Sequence, residues 1–159
     1  MDNLDVSDYG KARRAVRSHL EDRHGKLTSI GSSLYQSSEG SEFAIAYART
    51  NEKGRAWLAL KHGALEQLAH PQGFFAFAVI DQSEGKAFFF EIPMEQLAQR
   101  IEAVGMKPGL SGDRYSLIAK RRQGHFRIIG AMDLDIHQHM TGEATTQRQE
   151  APAKPSSDG

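Results

Sequence analysis

The apolar positions of this chain fall into one helical stretch followed by a series of short, β-like runs. Between Asp8 and His24, Tyr9, Ala12, Val16 and Leu20 recur at helical spacing, Arg13 and Arg17 share another face, and Gly25 supplies a stop. LTSIGSSLY (27–35), EFAIAYART (42–50) and GRAWLAL (54–60) then predict strands. In the second of these, Phe43, Ile45 and Tyr47 alternate with alanines, which gives one bulky face and one close-packing face. NEKG, between the last two runs, reads as a hairpin turn. HGALEQLAH (62–70) predicts a short helix ended by Pro71 and Gly73.

GFFAFAVI (73–80) is apolar on both faces, the pattern of a central strand covered on both sides. A polar stretch, DQSEGK, joins it to KAFFFEI (86–92), so the two runs predict a hairpin. Pro93 suits the first turn of a helix with Leu97, Ala98, Ile101 and Val104 as its buried stripe and Gly105 as its end. RYSLIAK (114–120) and HFRIIG (125–130) predict two strands about the basic turn RRQG, and AMDLDIHQHM (131–140) a last edge strand or short helix. The order α-β-β-β-α-β-β-α-β-β predicts one α+β domain over 8–140, a mixed, largely antiparallel sheet with flanking helices. Residues 1–7 read as a flexible leader. Thr141 to Gly159 are polar and lack apolar periodicity, so they read as a disordered tail.

Composition narrows the chemistry. The 159 residues are 39% apolar, enough for one core, and 20 basic residues balance 20 acidic ones, so no global field steers a polyanion. Locally the balance is uneven. Residues 8–26 carry six Lys/Arg against three acids and residues 107–127 six against one, so a basic patch forms if these segments meet. The absence of cysteine removes disulfides, thiolate metal sites and a cysteine nucleophile. The acidic, polar start and the shortness of every apolar run predict a cytoplasmic protein without a membrane partner.

Three constellations carry candidate chemistry. Glu84-Gly85-Lys86 has the E-x-K spacing with which metal-dependent nucleases hold a cation and an attacking water, and Asp81 supplies a further acid. All three side chains fall on a predicted turn, where charge serves solubility. In MDLDIHQHM, Asp133, Asp135, His137 and His139 alternate, so a strand places all four on one face and a helix pairs them at i, i+4. Either arrangement offers carboxylate and imidazole to a divalent metal. Finally, Lys120, Arg121 and Arg122 cluster at a hairpin tip, with His125 and Arg127 beyond, and Lys11, Arg13, Arg14 and Arg17 on the first helix extend the positive surface. No G-x-S-x-G elbow, G-x-x-x-x-G-K-[ST] loop or G-x-G-x-x-G fingerprint occurs, which argues against a serine hydrolase or a nucleotide-hydrolysing engine.

The succession of a helix, three strands, a helix and a strand over 8–80 resembles the restriction-endonuclease-like fold. That resemblance implies a first acid on the second strand and an E-x-K on the third. Glu42 and Ala59-Leu60-Lys61 stand nearest to those positions, with alanine in place of the carboxylate, and Tyr47-Ala48-Arg49 is a second degenerate match. It implies a nucleic-acid-associated relative whose metal site is lost. Trp57-Leu58-Ala59-Leu60, Leu65-Glu66-Gln67-Leu68, Ile92-Pro93, Arg114-Tyr115 and Asp133-Leu134-Asp135 together also resemble an uncharacterised bacterial domain over about 40–138. It contributes fold landmarks only, with Trp57 as a core aromatic.

The sequence therefore favours a non-catalytic binding or accessory domain, with no cofactor, that contacts nucleic acid through the basic hairpin and first helix. The rivals are a divalent-metal phosphodiesterase using Glu42 and Lys61, or Asp81, Glu84 and Lys86, and an adaptor that recruits a protein partner through an edge strand and the tail.

Overall fold

The computed structural model describes residues 4–109 and 112–146. The predicted first helix is α1 (Tyr9–His24), and Asp8 caps it by accepting a hydrogen bond from the Lys11 amide. LTSIGSSLY is two strands rather than one: β1 (Leu27–Gly31) and β2 (Leu34–Ser37) form a hairpin whose turn places Ser33 at φ 59°. There follow β3 (Glu42–Arg49), β4 (Arg55–Lys61), α2 (His62–Leu68), β5 (Gly73–Asp81), β6 (Lys86–Pro93) and α3 (Met94–Val104). The chain continues through β7 (Arg114–Arg122), β8 (His125–Ile129), the two-residue β9 (Leu134–Asp135), a 3₁₀ turn (His137–His139) and β10 (Met140–Thr145). The fold is α+β with largely antiparallel sheets, as the element order predicts.

The strands form two sheets. One has six strands in the order β1-β2-β3-β5-β6-β10, the other four in the order β4-β7-β8-β9. All pairings are antiparallel except β3 with β5. The turn Asn51–Gly54 is tight, with the Asn51 side chain accepting from the amides of Lys53 and Arg55. It does not make a hairpin, because β3 and β4 belong to different sheets and the turn carries the chain from one to the other.

Phenylalanine alternation on β5 and β6 builds both halves of the core. Phe75, Phe77, Phe88 and Phe90 meet Leu58, Leu60, Leu117, Phe126 and Ile128 of the second sheet, together with Leu65 and Leu68 of α2 and Leu97 and Ile101 of α3. On the other face, Ala76, Ala78, Ile80, Ala87 and Phe89 pack under Ala12, Ala15, Val16 and Leu20 of α1. The small residues on that face let the helix approach the sheet closely. Two details of α3 differ from expectation: Val104 is exposed, and Met94 takes the buried place at its start.

The ends of the described chain are ordered parts of the fold. Thr141–Thr145 belong to β10, which continues the six-stranded sheet beside β6, where a tail from Thr141 was the expectation. Of the expected leader, Leu4 bridges Thr146, Val6 is buried in the core on the α1 side, and Arg49 of β3 donates to the Val6 carbonyl. Residues 147–159 of the expected tail lie outside the described residues. No helix among the described residues is long and apolar enough to cross a membrane.

Candidate nucleic-acid interface

The four-stranded sheet has one face in the core and one in solvent. Along β4, Ala56, Leu58 and Leu60 are buried and Trp57, Ala59 and Lys61 exposed, a strict alternation that also puts Arg55 on the outer face. Along β7, Tyr115, Leu117 and Ala119 point inward, which leaves Arg114, Ser116, Ile118, Lys120 and Arg122 outward. On β8 the outward residues are His125, Arg127 and Ile129.

Register then brings these into cross-strand rows. Lys61 stands opposite Arg114, Ala59 opposite Ser116, and Trp57 opposite Ile118, which in turn faces Ile129. Arg55, Lys120, Arg127 and Asp135 form the next row, and Arg122 with His125 the last. The outer face thus carries Arg55, Lys61, Arg114, Lys120, Arg122 and Arg127 around a central apolar row, and Trp57 is 47% exposed. From Arg114 to Arg122 the cations span about 27 Å at the usual rise of a strand. Two carboxylates reach this face: Asp133 bonds Arg127 at 2.9 Å, and Asp135 bonds His125 at 2.9 Å. The bond from Asp133 raises the pKa of Arg127 further, and the bond from His125 lowers that of Asp135. Lys61, Arg114, Lys120 and Arg122 have no carboxylate partner among the described residues.

At the β4 edge this face opens into a cleft of about 460 Å³. Its origin is topological. β2 pairs with β3 only over Glu42–Ala44, so beyond Ile45 that side of β3 has no strand partner, and β4 is itself an edge strand. The walls include Tyr9, Tyr47 and Trp57 and the cations Arg13, Lys61 and Arg114, over a floor that includes Leu34, Leu60 and Phe75; no carboxylate lines it among the described residues. Tyr9 and Tyr47 meet edge to face at 5.4 Å, and the Arg13 guanidinium lies 5.6 Å over the Tyr9 ring while donating to Ser33 Oγ at 2.8 Å. Lys61 Nζ donates to Ser32 Oγ at 3.4 Å. Partial burial raises the Tyr47 hydroxyl pKa above its ordinary 10.0, so at neutral pH it is a phenol rather than a phenolate.

The basic residues singled out in the sequence separate into two groups. Lys120 and Arg122 are on the outer face, and Arg13 is in the cleft. Arg121 is not available: β7 alternation turns it inward, where its guanidinium lies over Phe88 at 5.0 Å and Phe126 at 5.6 Å and pairs with Glu84. Lys11 is held by Asp5 at 3.0 Å, and hydrogen bonds from Ser7, then Lys11, bring that carboxyl down to about 2. Arg17 stacks over Tyr35 at 5.1 Å and bonds Glu21, while Arg14 is exposed on α1 outside the cleft lining.

The nuclease candidates are dispersed. Asp81 accepts from the amides of Ser83 and Glu84 and closes the β5–β6 turn. Glu84 is engaged by Arg121, and Lys86 by Glu143 at 3.4 Å. Glu42 bonds His70 at 2.8 Å, while Lys61 reaches Ser32 instead. The alternating acids and histidines near the end of the fold also fail to converge, because β9 gives way to a 3₁₀ turn after Asp135. Asp133 goes to Arg127 and Asp135 to His125, and His137 Nδ1 accepts from the Phe126 amide at 3.3 Å. His139 lies apart, with its pKa lowered by burial. No cluster of three or more metal-ligating side chains is present among the described residues.

Arg55, Trp57, Arg114 and Tyr9 were not among the sequence candidates, and Tyr47 entered only as the first residue of a degenerate E-x-K match. Trp57 in particular was expected in the core. The signal lay in RAWLALK itself, since three buried aliphatics at alternate positions force Trp57 onto the face of Arg55 and Lys61. No family model, curated protein or solved structure matches this chain.

Proposed function

We propose that this chain is a nucleic-acid-binding module that engages its ligand through the outer face of the β4-β7-β8 sheet. One observation carries the reading: strand register gathers six cations against two carboxylates around an exposed Trp57 and the isoleucines beside it. Cations on a rigid sheet neutralise phosphates, and an aromatic among them offers a surface on which a base stacks.

The test is fluorescence anisotropy with labelled oligonucleotides over a series of salt concentrations. Affinity is expected to fall steeply with salt. Lys120→Ala combined with Arg122→Ala weakens binding and reduces the log–log salt slope by about 1.4 to 1.8, the share of two phosphate contacts. Lys86→Ala, on the other sheet and paired with Glu143, leaves the slope unchanged. Binding that is insensitive to salt, or equally weakened by Lys86→Ala, defeats the proposal.

A further inference from the structure

We infer that the cleft between the free edges of β3 and β4 receives one unpaired nucleotide, which makes the ligand single-stranded nucleic acid rather than duplex. The inference rests on the nucleic-acid reading of the adjoining sheet face and adds the class of ligand. Three features of the cleft carry it.

First, its chemistry is divided as a nucleotide is divided. Tyr9, Tyr47 and Trp57 present aromatic surface, while Arg13, Lys61 and Arg114 supply positive charge without a carboxylate in the lining among the described residues. A base stacks on such rings whatever its identity, and its phosphate is held by the cations. Second, the volume of about 460 Å³ accommodates a small-molecule-sized group but not a double helix. A base pair in a duplex presents only its edges, so its ring faces cannot reach Tyr47 or Trp57 unless it is unstacked. Third, the cleft is continuous with the phosphate-binding face, because Trp57, Lys61 and Arg114 belong to both. A strand following the cations of β7 arrives at the cleft without a change of surface. The unpaired edge of β3 beyond Ile45 also leaves backbone groups beside the cleft for the polar edge of a base.

Trp57 is the only tryptophan in the chain, so its emission reports a base stacked at the rim shared by the sheet face and the cleft, and substitution of Tyr9 and Tyr47 isolates the cleft. The experiment titrates the full chain with four probes compared at equal concentration of anionic groups: a single-stranded oligonucleotide, the corresponding duplex, an abasic strand of equal length, and poly-glutamate. The single strand is expected to bind tightest and to quench Trp57, with the abasic strand weaker and not quenching. Tyr9→Ala and Tyr47→Ala, each checked for folding by circular dichroism, weaken single-strand binding by about 5- to 150-fold, the worth of one stacked base, at an unchanged salt slope. Duplex and abasic strands that bind as well as the single strand, without quenching, overturn the cleft assignment while leaving the sheet-face reading intact. Equal quenching by poly-glutamate overturns it in favour of an acidic peptide. If none of the nucleic acids binds, both readings fall together.

Discussion

Arg121 separates surface chemistry from core chemistry at neighbouring positions of one hairpin, and the consequence is measurable. Truncating it to alanine removes two methylenes beyond Cβ from a side chain that is 25% exposed, a loss of about 1.2 kcal/mol at about 0.8 kcal/mol per methylene. Its two ring contacts, over Phe88 and Phe126, add about 1 to 1.5 kcal/mol. The pair with Glu84, a carboxylate 40% exposed, adds no more than about 0.5 kcal/mol. Arg121→Ala is therefore expected to cost about 3 kcal/mol, or roughly 9 °C in melting temperature for a chain of this size. Arg121→Met keeps the stem and should cost about half as much. Arg122→Ala, outward and unpaired, should fall within about 0.5 kcal/mol of the parent. Thermal melting followed by circular dichroism gives the stabilities, and oligonucleotide anisotropy below the melting range gives the affinities. The expected pattern is crossed: Arg121→Ala loses stability and keeps binding, whereas Arg122→Ala keeps stability and loses binding. Refutation is simple. If Arg121→Ala melts with the parent and binds as poorly as Arg122→Ala, Arg121 is a surface residue and the alternation assigned to β7 is wrong at its end.

Two further outcomes follow from packing and protonation. A Cβ at Gly73 would lie 1.8 Å from the Leu68 carbonyl oxygen, so Gly73→Ala must shift the backbone where α2 meets the start of β5; it should cost about 3 kcal/mol by urea denaturation. Gly63, in the same helix with open space around it, provides the control, and Gly63→Ala should stabilise by about 0.5 to 1 kcal/mol. Burial against Phe89 and beside Thr141 lowers the His19 pKa below 6.5, so on acidification the unfolded chain takes up a proton before the native state does. The stability due to neutral His19 is thus full above pH 6.5 and declines below it, and His19→Gln should flatten the stability–pH curve between pH 7 and 5.

Much of the fold was legible because burial imposes regular periods. The first helix, the phenylalanine hairpin and the basic hairpin stand where Val16 and Leu20, Phe75 and Phe90, and Leu117 and Ile128 recur at 3.6 or 2. The split into two sheets was not legible, since NEKG has the chemistry of a tight turn whether it returns the chain to the same sheet or crosses to another. β10 was missed because MTGEAT is an edge strand with partial burial and little apolar signal. For the site, sequence proximity misled: Lys120, Arg121 and Arg122 read as one cluster, yet alternation sends the middle one inward. Conversely, Lys61 and Arg114 are 53 positions apart and meet only through the register of β4 with β7. Charge density along a chain reveals cations; only pairing reveals which of them share a face.

The order in which the two sheets use the chain bears on how the protein acquires its structure. β1 to β3 enter one sheet, β4 the other, β5 and β6 the first again, β7 to β9 the second, and β10 the first once more. No single cut separates one sheet from the other. Assembly must close large loops before β4 finds β7 or β6 gains β10, so the protein is expected to fold slowly for its length and in one cooperative step. A ribosome-bound chain lacking β10 presents the Phe88–Phe90 edge unpaired, and that nascent intermediate is the form most exposed to aggregation.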